Sequence, residues 1–238
     1  MADEEGFYIF TTMRFDPTLR TTIDTDLDPD GFNARIQSPF YLLPYHQDRL
    51  LKAATHFGWA PAIKDLTGRL GLLYVAERAF KFLQNPDHSP VRLRLTIGPD
   101  GKFHYEKFDI PALPLPNLLP TTLPAPGATP GPEEPEELPP YTLVVDDARA
   151  TRSEFTYFKT AKRDFYTAAR EKAGIKPGDS KEVLIIGDDN FVMEGSITTP
   201  YFWRDGKWVT PPVAKKFSTE AEDTGGHDGV SRRYALTR

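Results

Sequence analysis

The chain has 238 residues, 39% hydrophobic and 12% aromatic, enough to bury the core of one large or two modest domains. A net charge of -5 and a pI near 5.6, with no basic stripe to displace counterions from phosphates, exclude nucleic acid as the main partner. Zero cysteines exclude disulfides and thiolate metal sites, and no apolar run reaches membrane-spanning length.

The acidic start, MADEEG, has no apolar stretch after it and reads as neither a signal nor a transit peptide, so a cytoplasmic protein is expected. Phe7 to Phe15, rich in aromatic and β-branched residues, predicts a strand stopped by Asp16-Pro17. Asp26, Asp28, Asp30 and Gly31 copy the first half of a calcium loop. Gln37 stands where a bidentate glutamate is needed and Pro29 interrupts the loop, which leaves an acidic surface loop. From Pro44 the pattern turns helical, with Leu50, Ala53, Ala54 and Phe57 on one face. A second helical stretch carries Ile63, Leu66, Leu70, Leu73, Ala76, Phe80 and Leu83, with a break suggested by Gly68 and Gly71.

Val91 to Ile97 alternates apolar residues with Arg92, Arg94 and Thr96, and Pro99-Asp100-Gly101 turns it back into Lys102 to Ile110. Glu106 and Asp109 are the expected counter-charges of the arginines. Residues 111–140 are proline-dense and predict an extended connector without a core element, after which Tyr141 to Val145 opens a second domain. The expected organisation is therefore a small α+β domain over 1–110, a Pro-rich linker over 111–140 and a larger domain over 141–238.

Glu154 to Arg170 predicts one amphipathic helix with Lys159 near its start and Phe158, Ala161, Phe165, Ala168 and Ala169 facing a core. Val183 to Pro212 reads as strand, Gly-Asp-Asp-Asn turn, strand ending at Glu194, polar break, aromatic strand, Asp-Gly turn and a last short strand. A polar, Gly-rich segment then leads to Gly229, Val230, Ser231 and Arg232, where amides at a helix start make a natural phosphate nest. His46, His56, His88, His104 and His227 show no metal-ligand spacing. Walker, dinucleotide and Gly-x-Ser-x-Gly motifs are also missing, so metal, nucleotide and serine-hydrolase chemistry are not expected.

Taken together, Lys159 with Arg163 four residues on, the Tyr166-x-x-Ala169-Arg170 helix, and Glu194-Gly195-Ser196 resemble the class IV aminotransferase family. These are pyridoxal-phosphate enzymes of fold type IV, and the expectation is an α+β, two-domain, D-amino acid aminotransferase-like fold. The resemblance makes Lys159 the lysine that holds pyridoxal 5'-phosphate and Glu194 the partner of its ring nitrogen. It also makes Arg49, in His46-x-x-Arg49-Leu50, and Val230 with Ser231 the contacts of its phosphate. Phe10-Thr11-Thr12-x-Arg14 is similar to the first substrate-lining strand of aminodeoxychorismate lyases, implying substrate contacts from Thr12 and Arg14. Thr199, Pro200, Tyr201, Phe202 and Trp203, where aminotransferases often carry Asn-Leu-Phe, look more like the fungal lyases.

The resemblance therefore implies a homodimeric 4-amino-4-deoxychorismate lyase acting on a small-molecule substrate, giving 4-aminobenzoate and pyruvate for folate biosynthesis. Two alternatives stand beside it: a branched-chain or D-amino acid aminotransferase using the same Lys159, and a non-catalytic remnant. The remnant reading follows from a further expectation, that the chain is truncated at its C-terminus relative to the family.

Overall fold

The computed structural model describes residues 7–21, 38–84, 89–120, 122–129, 131, 139–220 and 223–237. The calcium-like run from Asp26 lies outside them. In chain order the elements are β1 (Ile9–Phe15), a 3-10 turn (Pro17–Thr21), α1 (Leu43–His56), α2 (Ala60–Leu66), α3 (Gly68–Leu83), β2 (Val91–Ile97), β3 (Phe103–Asp109) and α4 (Leu115–Leu118). Then follow β4 (Thr142–Ala150), α5 (Glu154–Tyr157), α6 (Asp164–Lys172), β5 (Lys181–Gly187), β6 (Val192–Gly195), β7 (Phe202–Arg204), β8 (Lys207–Val209) and α7 (Val230–Ala235). The chain divides into two compact units, Met1–Leu115 with Lys159–Ala161 and Thr237, and Pro116–Phe158 with Lys162–Leu236 and Arg238.

The first unit is an antiparallel sheet in the order β1-β2-β3 with helices packed on one face. Strand alternation sends Ile9, Thr11, Met13 and Phe15 of β1 into the buried face, beside Leu93, Leu95 and Ile97 of β2. From α1, Leu50, Ala53 and Ala54 meet that face, as the helical spacing predicts. Phe15, Phe40 and Phe80 close the far end as an edge-to-face aromatic cluster with centroids 4.8–6.1 Å apart. Outside the sheet, Arg94 Nε lies 3.6 Å from Glu106, while Arg92 lies over the Phe108 ring at 4.7 Å. The expectation for Arg94 and Glu106 holds; Arg92 finds an aromatic face instead of Asp109.

The helical break falls at Thr67-Gly68, where Gly68 takes a φ of 64° that a side chain disfavours. That turn rotates α3 away from the expected register. Leu72, Val75, Ala76, Ala79 and Leu83 are buried, whereas Leu70 and Leu73, predicted as core, are 80% and 40% exposed. The pivot is Gly71, whose missing Cβ would lie 2.2 Å from the carbonyl carbon of Leu66.

In the second unit β5 lies between β4 (parallel) and β6 (antiparallel). Residues 151–180, including α5 and α6, supply the crossover that a parallel pair needs. As a middle strand, β5 is buried from Glu182 to Gly187, which is why its sequence runs apolar without alternating. Tyr166 and Ala169 of α6 pack with Ile175, Val183, Ile185 and Met193 to form the core. The run of elements expected from Val183 to Pro212 is present in order, ending in the β7–β8 hairpin. The Pro-rich stretch, in contrast, contains an ordered element: α4 buries Leu118, and Trp208 Nε1 donates to the Pro124 carbonyl at 2.9 Å. Among the described residues no helix is long and apolar enough to cross a membrane.

Helix propensity alone favours Ala over Gly by about 1 kcal/mol. At Gly71 the sign should reverse, because a methyl forced against the Leu66 carbonyl overpacks the α2–α3 turn. Gly71→Ala is expected to destabilise by roughly 1–3 kcal/mol in urea unfolding, against a near-neutral Leu70→Ala. A neutral or stabilising Gly71→Ala would contradict this packing.

Candidate active site

Lys159 does not sit on a continuous helix. A capping box of Ser153 and Thr156 starts α5, which ends after one turn at Phe158, where the backbone becomes extended. Residues 159–161 then pair with the edge of β1: the Phe10 amide donates to the Lys159 carbonyl at 3.0 Å and the Ala161 amide to the Tyr8 carbonyl at 2.8 Å. Ile9 and Thr160 form the antiparallel bridge, and Thr160 is fully buried. The unsatisfied edge of β1 outcompetes local helix propensity, because each of its peptide groups needs a partner once buried. Of the stripe expected to face a core, Phe158 and Ala169 are buried, Ala161 and Phe165 are half-buried and Ala168 is exposed. Lys159 Nζ lies 5.0 Å from the Phe10 ring centroid, a cation–π distance.

On the opposite face of β1, Thr11 joins two residues of α1. Its hydroxyl lies 2.6 Å from His46 Nδ1 and accepts a hydrogen bond from the Arg49 guanidinium. Positions 46 and 49 fall three apart, so one helical turn brings both to the strand. Lys159 and Arg49 are thus tied to consecutive residues of one strand, Phe10 and Thr11, and issue on its two faces. Thr12, half-buried, pairs across from Arg94. Arg14 is engaged within the fold, its Nε donating to Asp16 at 2.8 Å and its terminal nitrogen to the Pro111 carbonyl at 2.8 Å.

In the second unit the end of β6 presents Glu194. One oxygen, Oε1, accepts from the Tyr166 hydroxyl of α6 and lies 3.0 Å from His227 Nδ1; the other accepts from the His227 amide at 3.3 Å. The residues after Glu194 are clamped. Glu182, buried at the start of β5, accepts from the amides of Ser196 at 3.1 Å and Ile197 at 3.2 Å, and from the hydroxyls of Ser196 at 2.5 Å and Thr198 at 2.7 Å. Arg163 donates to the Ser196 carbonyl at 2.7 Å and Arg170 to its hydroxyl at 3.0 Å. Gly195 is required there, since a Cβ would lie 2.6 Å from Thr198 Oγ1 and 3.1 Å from the Glu182 carboxyl carbon. Val230 and Ser231 open α7 behind Gly229, contributing amides that a helix start leaves without intrahelical acceptors.

The sequence model of the family Amino-transferase class IV matches residues 21–237. The chain belongs to the class IV aminotransferases. Solved structures agree on the fold. A putative amino-acid aminotransferase from Mesorhizobium loti is 20% identical with a TM-score of 0.61, over 97% of this chain and 83% of that one. A putative 4-amino-4-deoxychorismate lyase from Legionella pneumophila is 14% identical with a TM-score of 0.60, over 98% of this chain and 68% of that one. A hypothetical aminotransferase from Mycobacterium tuberculosis, in a PLP-bound form, is 16% identical with a TM-score of 0.54, over 96% of this chain and 66% of that one. No curated protein matches. At these identities the likeness establishes fold type IV, an α+β architecture.

The first unit of this class IV member carries an amine and a guanidinium and the second a carboxylate and helix-opening amides, group types that would suit the aldehyde, phosphate and ring nitrogen of pyridoxal phosphate. Two residues of the site escaped sequence reasoning. Glu182 stands beside Lys181 at the start of an apolar run, where a charged residue reads as a strand end. His227 has no metal-ligand spacing, yet Gly225-Gly226 before it was the signal: Gly225 takes a φ of 73°, and a Cβ on Gly226 would lie 2.8 Å from the Met193 carbonyl oxygen. Gly226 lets the His227 segment come that close to β6, while Gly225 leaves room for the Arg152 side chain.

Burial first, then the Glu194 charge and hydrogen bond, push the Tyr166 hydroxyl well above its ordinary value of 10.0, with Arg163 acting the other way. The folded chain holds this proton more tightly than the unfolded one. The stability it contributes is therefore complete below about pH 10 and is lost as pH rises further. Tyr166→Phe is expected to cost roughly 1.5–3 kcal/mol near neutrality, the worth of a hydrogen bond to a charged group. Urea unfolding at about pH 8 and about pH 11 should show a smaller alkaline loss in the variant than in the unaltered chain; equal losses would contradict the assignment.

Proposed function

We propose that the chain is a pyridoxal-phosphate-dependent 4-amino-4-deoxychorismate lyase, releasing 4-aminobenzoate and pyruvate. What supports this reading is Lys159, the lysine that the resemblance assigns to the cofactor, whose carbonyl accepts from the Phe10 amide of β1 while Thr160 and Ala161 after it pair with the same strand. A lysine at a sheet edge has its stem fixed and its amine as the mobile end. Bound pyridoxal phosphate would supply an electron sink for the pair left when a bond breaks at the amine-bearing carbon.

Lys159 Nζ would hold the cofactor and, once displaced by the substrate amine, take the proton from the carbon that bears it. Loss of that proton and of the adjoining enolpyruvyl ether makes the ring aromatic; the enolpyruvate then takes up a proton to become pyruvate. Glu194 would keep the proton on the ring nitrogen. Arg49 and the amides of Val230 and Ser231 would bind the phosphate dianion. Thr12 and Arg14 would meet the substrate, Arg14 by exchanging Asp16 for a substrate carboxylate. A homodimer and a cytoplasmic location belong to the same reading.

Phe10-Thr11-Thr12 and Thr199-Pro200 favour the lyase. An aminotransferase with the same residues is the second reading, favoured by the likeness to the Mesorhizobium loti structure. The test is titration with pyridoxal phosphate followed by borohydride reduction and peptide mapping. The label should fall on Lys159 and vanish in Lys159→Ala; a label on Lys162 or Lys181 would overturn the assignment. Loaded enzyme given 4-amino-4-deoxychorismate should then release 4-aminobenzoate and pyruvate, whereas a keto acid formed from an amino acid would favour the aminotransferase.

A further inference from the structure

Glu194 is held on both oxygens by one residue. The His227 amide reaches Oε2 at 3.3 Å and its ring Nδ1 lies 3.0 Å from Oε1, so a single side chain and its own backbone fix the plane of the carboxylate. The ring is buried, its side chain 8% exposed, and the Tyr166 hydroxyl lies 3.3 Å from the same Nδ1. Facing a carboxylate, Nδ1 carries the proton and donates. Among other charged groups, Arg163 lies over the Tyr166 ring at 4.1 Å and contributes a fixed positive charge beside the cluster, and Asp228 is paired with Arg232 at 3.2 Å and Arg233 at 3.7 Å. At 3.0 Å from Nδ1, Glu194 is directly exposed to the charge state of the imidazole.

We propose that His227 is a positioning residue for Glu194, aiming the carboxylate by its two bonds and setting the pH range in which that carboxylate can serve a cationic ring nitrogen. The inference rests on the pyridoxal-phosphate reading. A neutral imidazole leaves the carboxylate's full charge for the protonated ring nitrogen. An imidazolium neutralises that charge in a buried site and places a second cation beside the first, which is repulsive. Cofactor binding is then coupled to deprotonation of His227, and the coupling acts equally in both directions.

The first measurement needs no variant: histidine NMR resonances of the full chain are followed through pH with and without pyridoxal phosphate. Binding should lower the titration midpoint of His227, and a shift of one unit corresponds to roughly tenfold in affinity between its two charge states. The second is a cofactor titration from about pH 8 to about pH 6, which brackets the ordinary imidazole range. The unaltered chain should lose affinity more steeply than His227→Leu. For an analogue carrying carbon in place of the ring nitrogen, the two slopes should coincide. An unmoved or raised midpoint, equal slopes with pyridoxal phosphate, or the same His227-dependent slope with the analogue would overturn the proposal while leaving the cofactor reading standing. Failure of the unaltered chain to bind pyridoxal phosphate at any of these pH values would overturn both.

Discussion

The second unit depends on a buried carboxylate in the wrong-looking place. Glu182 opens an otherwise apolar middle strand and accepts from two amides and two hydroxyls of the turn after Glu194, with the Val183 amide a fifth donor at 2.8 Å. A buried charge is tolerable only when its lone pairs are filled, and these are. Donors from 196–198 cannot reach it unless the chain turns sharply at Gly195, so the carboxylate and the glycine require each other. Once that turn is fixed, the end of β6 has one direction, and Glu194 is aimed with it.

Helix α6 completes the clamp by presenting Arg163, Tyr166 and Arg170 on one side. Arg163 and Arg170 take the carbonyl and hydroxyl of Ser196, and Tyr166 takes Glu194. The spacing of these three residues and the Glu-Gly-Ser triplet are therefore two halves of one physical contact. That contact explains why the motif has this form without appeal to the cofactor. In the first unit the corresponding constraint is the free edge of β1, which captures residues 159–161 and stops the helix that their sequence would otherwise continue. In each unit the constraint reaches backbone groups, the peptides of β1 in the first and those of Ser196 and Ile197 in the second.

Elements with a clean period were legible in the sequence. The alternation of β2 and the face of α1 with Leu50, Ala53 and Ala54 bury what their patterns say they bury, and the Asp-Gly turn joins β7 to β8 where the dipeptide stands. What was not legible is tertiary in origin. The Glu154–Arg170 pattern is helical, but the edge of β1 offered Lys159 and Ala161 better partners. Leu70 and Leu73 match a helical face, but the turn at Gly68 and the contact of Gly71 with Leu66 rotated α3 away from them. Glu182 and His227 were missed because burial of a polar group is decided by donors far along the chain, and neither residue advertises its partner locally.

The central claim is that Glu182 builds the turn that aims Glu194, and amide hydrogen exchange reads it at the atoms concerned. Ile197, whose amide donates to this carboxylate, should be protected in the unaltered chain, and so should Ser196, whose amide is shared between the carboxylate at 3.1 Å and the Val183 carbonyl at 2.9 Å. In Glu182→Gln, an amide nitrogen faces donors that need an acceptor. Protection at Ile197 should fall by at least about tenfold, given that a bond to a charged acceptor is worth roughly 1.5–3 kcal/mol, while Ser196 keeps its bond to the Val183 carbonyl and Leu95 in the first unit keeps its protection. Unchanged exchange at Ile197 would contradict the account.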